Sequence, residues 1–318
     1  MRRGPGRSRH FRLEELAPGV WAAIARFGAY GLCNSTIVDL GATTVVFDSM
    51  LTPMAGADLA RVAERITGRR PDFVVNSHWH GDHVRGNGAF VGAHIVSTRA
   101  TRHAMATRGV RQWVDDRRTA PKELRSLNAH RLPMPRSDEP MFRGWFEGIM
   151  VTPRSFRLTL PDLLIDQELV LEGSERSLRV ITYGGGHSPS DVFGYLPDER
   201  IAVMGDLTMV RIHPSLSDGF PAEWIRILER VGRLRIDRLV PGHGEVGSRA
   251  DLTAGARYIQ DLGEIVGALS AKERTPRALA RVAVPPRYAD WKFSWFFGMN
   301  LAKVASALPR RTGTRRRP

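Results

Sequence analysis

The sequence predicts an α/β protein, a four-layer αββα sandwich with extra C-terminal helices. Three observations carry that prediction. Short runs rich in β-branched residues alternate with amphipathic stretches of helical period. Two such β-rich halves follow one another, each covered by helical segments. With 318 residues and 42% hydrophobic content, the chain can bury a sizeable core.

The elements follow in order. GVWAAIA (19–25), STIVDLG (35–41) and TTVVFDS (43–49) read as strands separated by Gly-containing turns. AGADLARVAERITG (55–68) has apolar residues at helical spacing and closes on Gly68, a favoured C-terminal cap. PDFVVNS (71–77) and AHIVST (93–98) are strands, and residues 98–116 open a basic helix. Residues 119–155, with seven prolines or glycines and many charges, read as an irregular cover. In the second half SFRLTL (155–160), QELVLEG (167–173), SLRVITYGGG (177–186), DVFGYLPD (191–198) and RIAVMGDL (200–207) are strands. PAEWIRILERVGRL (221–234) is a helix opened by Pro221, and DRLVPGHGEV (237–246) runs from strand into a Gly-rich loop. Helical patterns over 250–271, 275–283 and 291–308 complete the chain.

The net charge of +14 is concentrated at the ends. Residues 1–12 and 310–318 each hold five arginines and no acid, leaving +4 for the rest. Residues 99–143 hold eleven basic and five acidic side chains, so the remaining body is close to neutral. We therefore expect basic tails at 1–12 and 310–318, an αββα domain over 13–250, and a helical extension at 251–309 packed on that domain. Such tails are solvated ends, open to non-specific contact with nucleic acid or other polyanions but not to a dedicated nucleic-acid partner. No apolar run is long enough for a membrane span, and no h-region follows the N-terminal arginines. The one cysteine, Cys33, forms no internal disulfide and reads as a small core residue, which fits a reducing, cytoplasmic setting.

The chemistry is concentrated in VVNSHWHGDHVRGN (74–87), where His78, His80, Asp82 and His83 fall within six positions after an apolar run. GGGHSPSD (184–191), VMGDL (203–207) and VPGHGE (240–245) repeat the pattern of strand, Gly turn, and then His187, Asp206 or His243. Strand ends let such side chains converge while the sheet stays rigid. His78 and His80, two positions apart, can aim at one point. With His187 they form a three-nitrogen site that suits zinc and leaves a position for water. Asp82, His83 and His243 form a second, and Asp206 can bridge the two. In two-metal sites the ions lie ~3.5–4 Å apart and activate one hydroxide between them. Asp82 is the candidate to orient that water and relay its proton to the leaving group. A single histidine is more often structural, but five of the ten histidines lie in these Gly-flanked motifs. His10, His94, His103 and His130 read as surface or supporting residues. His213, seven residues after Asp206, is the candidate for a substrate pocket. Tyr288, Trp291, Trp295, Phe296 and Phe297 read as core, unless one end of WKFSWFF roofs the site.

HWHGDH, a distant His before SPSD, a GD and PGHG, spaced 104, 19 and 37 residues apart, resemble the metallo-β-lactamase superfamily from about residue 19 to 247. DSMLTP, HxHGDHxxGN and His213-Pro214 followed by Trp224 are similar to its quinoprotein-relay and sulfur-oxidation type metallohydrolases. The donor set resembles that of glyoxalase II: the commonest zinc β-lactamases carry Cys at the position of Asp206. A carboxylate there also accommodates iron or manganese. Quorum-lactone hydrolases carry Tyr where this chain has Met209. The resemblance implies two zinc ions, with iron or manganese as alternatives, and hydrolysis of a small-molecule ester, thioester, lactone or amide. It leaves two other readings. One is a mononuclear iron sulfur (persulfide) dioxygenase. The other is a nucleic-acid phosphodiesterase, against which the 104-residue gap between His83 and His187 holds no further His motif.

Overall fold

The computed structural model describes residues 8–132, 134–270 and 272–307. Seven strands form the first sheet in chain order: β1 (Phe11–Ala17), β2 (Val20–Ala25), β3 (Ser35–Asp39), β4 (Thr44–Phe47), β5 (Phe73–Val75), β6 (His94–Thr98) and β7 (Leu163–Ile165). β1 to β4 pair antiparallel, and β4 to β7 run parallel. The second sheet has the order β12-β11-β10-β9-β8. Its strands are β8 (Glu168–Glu172), β9 (Ser177–Gly184), β10 (Asp191–Leu196), β11 (Ile201–Met209) and β12 (Arg238–His243). Only β11 and β12 pair parallel there.

Period-two alternation makes the layers. On β2, Val20, Ala22 and Ile24 face the core between the sheets, while Ala23 faces the opposite way. On β11, Ile201 and Val203 face the first sheet, while Ala202 and Met204 face the helices behind the second. The first outer layer is α1 (Pro53–Thr67), which buries Ala55, Leu59, Val62 and Ala63 at helical spacing. Thr52 caps it, accepting from the Ala55 N–H at 3.1 Å, and Gly68 ends it in the left-handed region at φ 79°. After α2 (Gly81–Val84) come α3 (Arg99–Ala104), a π turn, α4 (Val110–Asn128) and α5 (Glu139–Val151). The other outer layer is α6 (Pro221–Val231), α7 (Arg249–Ala268), the short α8 (Pro276–Leu279) and α9 (Trp295–Ala307). α6, α7 and α9 share one buried cluster with β9, β10 and β11. Among the described residues no helix is long and apolar enough to cross a membrane.

Several expectations change. Residues 119–155 are largely helical, because Pro140 occupies the first turn of α5, where no N–H is needed, and Pro121 is accommodated within α4. Gly144 and Gly148 let α5 approach Ala29 and Leu51 closely: a Cβ at Gly144 would strike the Ala29 carbonyl. SFRLTL is not a strand; Leu158 and Leu160 do share a side, but they pack on Trp79, Val84, Ala104 and Met105. β1 begins at Phe11, inside the expected basic tail, while residues 1–7 and 308–318 lie outside the described residues. The helix expected from 291 begins at Trp295, because Phe293 turns into the left-handed region at φ 60° and donates its N–H to Asp138 at 3.0 Å.

Phe193, fully buried on β10 in the shared cluster, gives a direct check of this core. Phe193→Ala is expected to cost about 3–5 kcal/mol in a denaturant titration. Val91→Ala, at an exposed position, should stay within about 0.5 kcal/mol.

Candidate metal centre

The loop after β5 carries the first motif and is clamped from three sides. Asn76 N–H donates to Val96 on β6, Ser77 accepts from Val192 N–H on β10, and the His83 carbonyl accepts from Ser49 N–H after β4. His78 lies in the bend after β5, His80 is extended and precedes α2, and Asp82 and His83 lie on the first turn of α2. His187 sits between β9 and β10, on a turn held by Asp191, whose carboxylate accepts the Gly186 and Ser188 N–H groups at 2.7 and 3.1 Å. Asp206 lies within β11, and His243 ends β12 beside it. Two motif glycines are needed for this approach. Gly205 has φ 49° and faces Ser77, and a Cβ at Gly242 would overlap the Asp206 carboxylate.

All seven expected donors come together. His80 Nδ1 lies 2.9 Å from His78 Nε2 and 3.0 Å from His187 Nε2. Asp206 Oδ2 is 3.3 Å from His187 Nε2 and 3.9 Å from His78 Nε2. Its other oxygen, Oδ1, is 3.2 Å from His83 Nε2 and 3.4 Å from His243 Nε2. Asp82 Oδ2 closes the second group at 3.2 Å from His243 Nε2 and 3.5 Å from His83 Nε2. Two clusters, His78-His80-His187-Asp206 and Asp82-His83-His243, thus have the geometry to hold a metal ion each. Among the described residues, His83 Nε2 and Asp206 Oδ1 are buried without a hydrogen-bond partner, as expected of donors aimed at a cation. Five imidazoles and two carboxylates, with no thiolate, suit zinc, iron or manganese.

The charges are strongly perturbed. Burial, then His83 and His80, hold His78 well below the usual imidazole value, and burial takes His187 down to about 3. Burial opposes charge on His243 too, but Asp206 and Asp82 outweigh it and raise its pKa to about 9. Burial disfavours the Asp206 carboxylate, yet His243, His83 and His187 keep it well below the usual range.

Sequence reasoning missed the residues behind the donors. Asp48 accepts from Ser77 N–H at 2.7 Å and from Ser77 Oγ at 2.8 Å, and its Oδ2 is 2.7 Å from His83 Nδ1. That contact turns His83 Nε2 toward Asp206 and Asp82. Ser77 Oγ is 2.9 Å from His78 Nδ1, and the Leu32 carbonyl is 3.2 Å from His243 Nδ1. Asp218 accepts from Trp79 Nε1 at 2.8 Å, pairs with Arg108, and lies 3.7 Å from His80 Nε2. The visible signal for Asp48 is an acid directly after the apolar run of β4; Asp218 has none, being 138 residues from His80, the donor it supports.

A cavity of about 350 Å³ opens on His80, Asp82, His187, Asp206 and His243. Phe142, Trp145 and Phe146 of α5, with Phe293 and Phe296, form its apolar wall. The C-terminal aromatics are therefore divided: Tyr288, Trp291 and Phe297 pack in the core, and Phe293 and Phe296 face the cavity. His213 lines the cavity too, but its Nδ1 is 3.0 Å from Tyr258 Oη and its Nε2 3.3 Å from the Tyr288 carbonyl. It braces the wall against the C-terminal helices. Of the remaining histidines, His94, His103 and His130 are exposed, while His10 is buried beside Tyr30.

Residues 29–243, which hold every one of these donors, match the metallo-beta-lactamase superfamily, and the chain belongs to that family. Its fold is similar to that of a metallo-beta-lactamase from Pontibacter korlensis, at 18% identity and a TM-score of 0.58 over 79% of this chain and 99% of that one. It is likewise similar to a metallo beta lactamase from Hirschia baltica, at 17% identity and a TM-score of 0.56 over 79% and 98% of the two chains. A third, from Erythrobacter litoralis, is 15% identical with a TM-score of 0.58 over 80% and 99%.

Asp48→Asn keeps the shape of the support but removes its charge. We expect metal affinity to fall about 10–100-fold, read by competition with a chelating dye, with the circular dichroism spectrum retained.

Proposed function

We propose that this chain is a dinuclear, zinc-dependent hydrolase of a small-molecule ester, thioester, lactone or amide. His78, His80 and His187 would hold one ion, Asp82, His83 and His243 the other, and Asp206 would bridge them. The observation that carries the reading is the orientation of Asp206, whose two oxygens face different donor groups. When bound, such ions supply Lewis acidity toward the scissile group and lower the pKa of water toward about 7. The chain's own residues do the rest. The cavity leaves the donors open to substrate on one side, unlike the closed shell of a structural site. Asp82 lines that cavity as well as facing His243, so it is placed to accept a proton from water and return it to the leaving group. The aromatic wall binds an apolar group and excludes water.

Metal content measured by mass spectrometry, with turnover of an ester, thioester, lactone and amide panel, tests this. The wild type should hold about two zinc ions per chain, and Asp206→Ala about one or fewer, with at least about hundredfold slower turnover. One iron per chain, no hydrolysis, and oxygen uptake on persulfides would replace the reading with a dioxygenase. Chelator-treated protein should also melt several degrees lower than protein with zinc at about 100 times its Kd, since binding to the native state alone adds about 2.7 kcal/mol.

A further inference from the structure

A second cavity, of about 630 Å³, lies against the other flank of the centre. It shares Leu32, Met141, Ile212 and His243 with the aromatic cavity, so the two meet at a residue of the second donor group. Its lining carries four cationic side chains, Arg12, Arg26, Arg211 and Lys292, against two acids, Glu245 and Asp290. Both acids are paired, Glu245 with Arg12 and Asp290 with Arg211. Among the described residues no ion pair holds Arg26 or Lys292, although the Asp138 carboxyl is close enough to feel the Lys292 charge. Arg26 Nε donates to the Phe11 carbonyl at 3.3 Å. The Lys292 ammonium sits 3.7 Å from the centroid of Phe27, which stacks on Phe293 of the aromatic wall.

Both cations are anchored at the backbone. Arg26 N–H donates to His10, and Lys292 donates to the Arg211 carbonyl and accepts from His213 N–H. Both also lie outside residues 29–243, the part that matches the family. Two unpaired cations in a concavity draw an anion to it, and a guanidinium matches the planar geometry of a carboxylate. Glu245 and Asp290 would repel a polyphosphate more than a single carboxylate.

We propose that this cavity is a carboxylate subsite and that the substrate is an amphipathic acid derivative. Its apolar part occupies the aromatic cavity, its scissile bond lies at the metal centre, and a carboxylate on the far side meets Arg26 and Lys292. What is cleaved rests on the hydrolase reading above; what is bound does not. Cleavage puts water's OH on the acyl carbon and its H on the leaving oxygen, sulfur or nitrogen, with no redox partner.

The test compares two esters of equal length on the zinc-loaded protein: the 4-nitrophenyl monoester of glutaric acid and 4-nitrophenyl valerate, which has a methyl in place of the carboxylate. The wild type should favour the glutarate ester. Lys292→Glu and Arg26→Ala should each lower the ratio of the two kcat/KM values about tenfold, the scale of one charge-assisted contact, through KM rather than kcat. The control Arg65→Ala, on the exposed end of α1, should keep the ratio. Calorimetry with octane-1-sulfonate and 1-octanol reads binding without turnover. The sulfonate should bind more tightly, and about tenfold more weakly in Lys292→Glu. If no ester turns over but the sulfonate behaves so, the subsite stands and the hydrolase reading falls. If esters turn over with a ratio unmoved by Lys292→Glu, and the sulfonate binds no better than octanol, the subsite is overturned and the hydrolase stands.

Discussion

Asp206 offers one carboxylate to two groups of imidazoles, and much of the molecule serves to keep it there. Seven donor side chains, six of them buried and His80 half-buried, share one volume where like charges repel and buried lone pairs cannot turn to water. Only a rigid frame holds such a set together in advance. β11 supplies it, lying between β10 and β12 and paired in parallel with the strand that ends at His243. The parallel register sets Gly205 against Pro241 and Met209 against His243, so the two motifs meet side by side. Gly205 and Gly242 follow from the same closeness, since a side chain at either would occupy space taken by Ser77 or by Asp206 itself.

A second ring of contacts decides which nitrogen His78, His83 and His243 present. Asp48 and Ser77 form the densest part of it, joining the end of β4 to the loop after β5 and to two histidines from different donor groups. Asp218 does the same for His80 from a distant loop, tied in by Trp79 and Arg108. Burial alone would raise the Asp218 carboxyl, but bonds from His80, Arg108 and Trp79 hold it well below the usual range. Polar groups in such a network are either all satisfied or costly, so the donors and their supports are one cooperative unit.

The substrate side is built differently. The donors sit on strands or on the loops and turns at strand ends, but the cavity wall comes from α5 and from the turn at Phe293, elements laid over the sandwich. Asp138, next to the first turn of α5, accepts the Phe293 N–H, so the two parts of the wall are fastened to each other. His213, Tyr258 and Asn300 tie the same wall to α7 and α9. A rigid core that holds metal donors and a separate cover that shapes the pocket is a division that lets specificity vary without moving the centre.

The sequence by itself determined the αββα class and which seven side chains gather in two groups able to hold a metal ion. Both follow from local rules: strand alternation is written every second residue, and Gly-flanked His and Asp motifs at strand ends have few other uses. It did not show Asp48 or Asp218 as supports: an acid after an apolar run does not name its partner, and nothing local marks Asp218. Its prolines and glycines suggest an irregular cover over 119–155, whereas Pro140 fits the first turn of a helix and Gly144 and Gly148 allow close packing. Which aromatics face the substrate was likewise decided only in three dimensions. Tyr288 and Phe297 went to the core, and Phe293 and Phe296 to the cavity, through one left-handed turn and one hydrogen bond to Asp138. Local patterns follow covalent neighbours; the direction a side chain faces at a pocket depends on which distant segment packs against it.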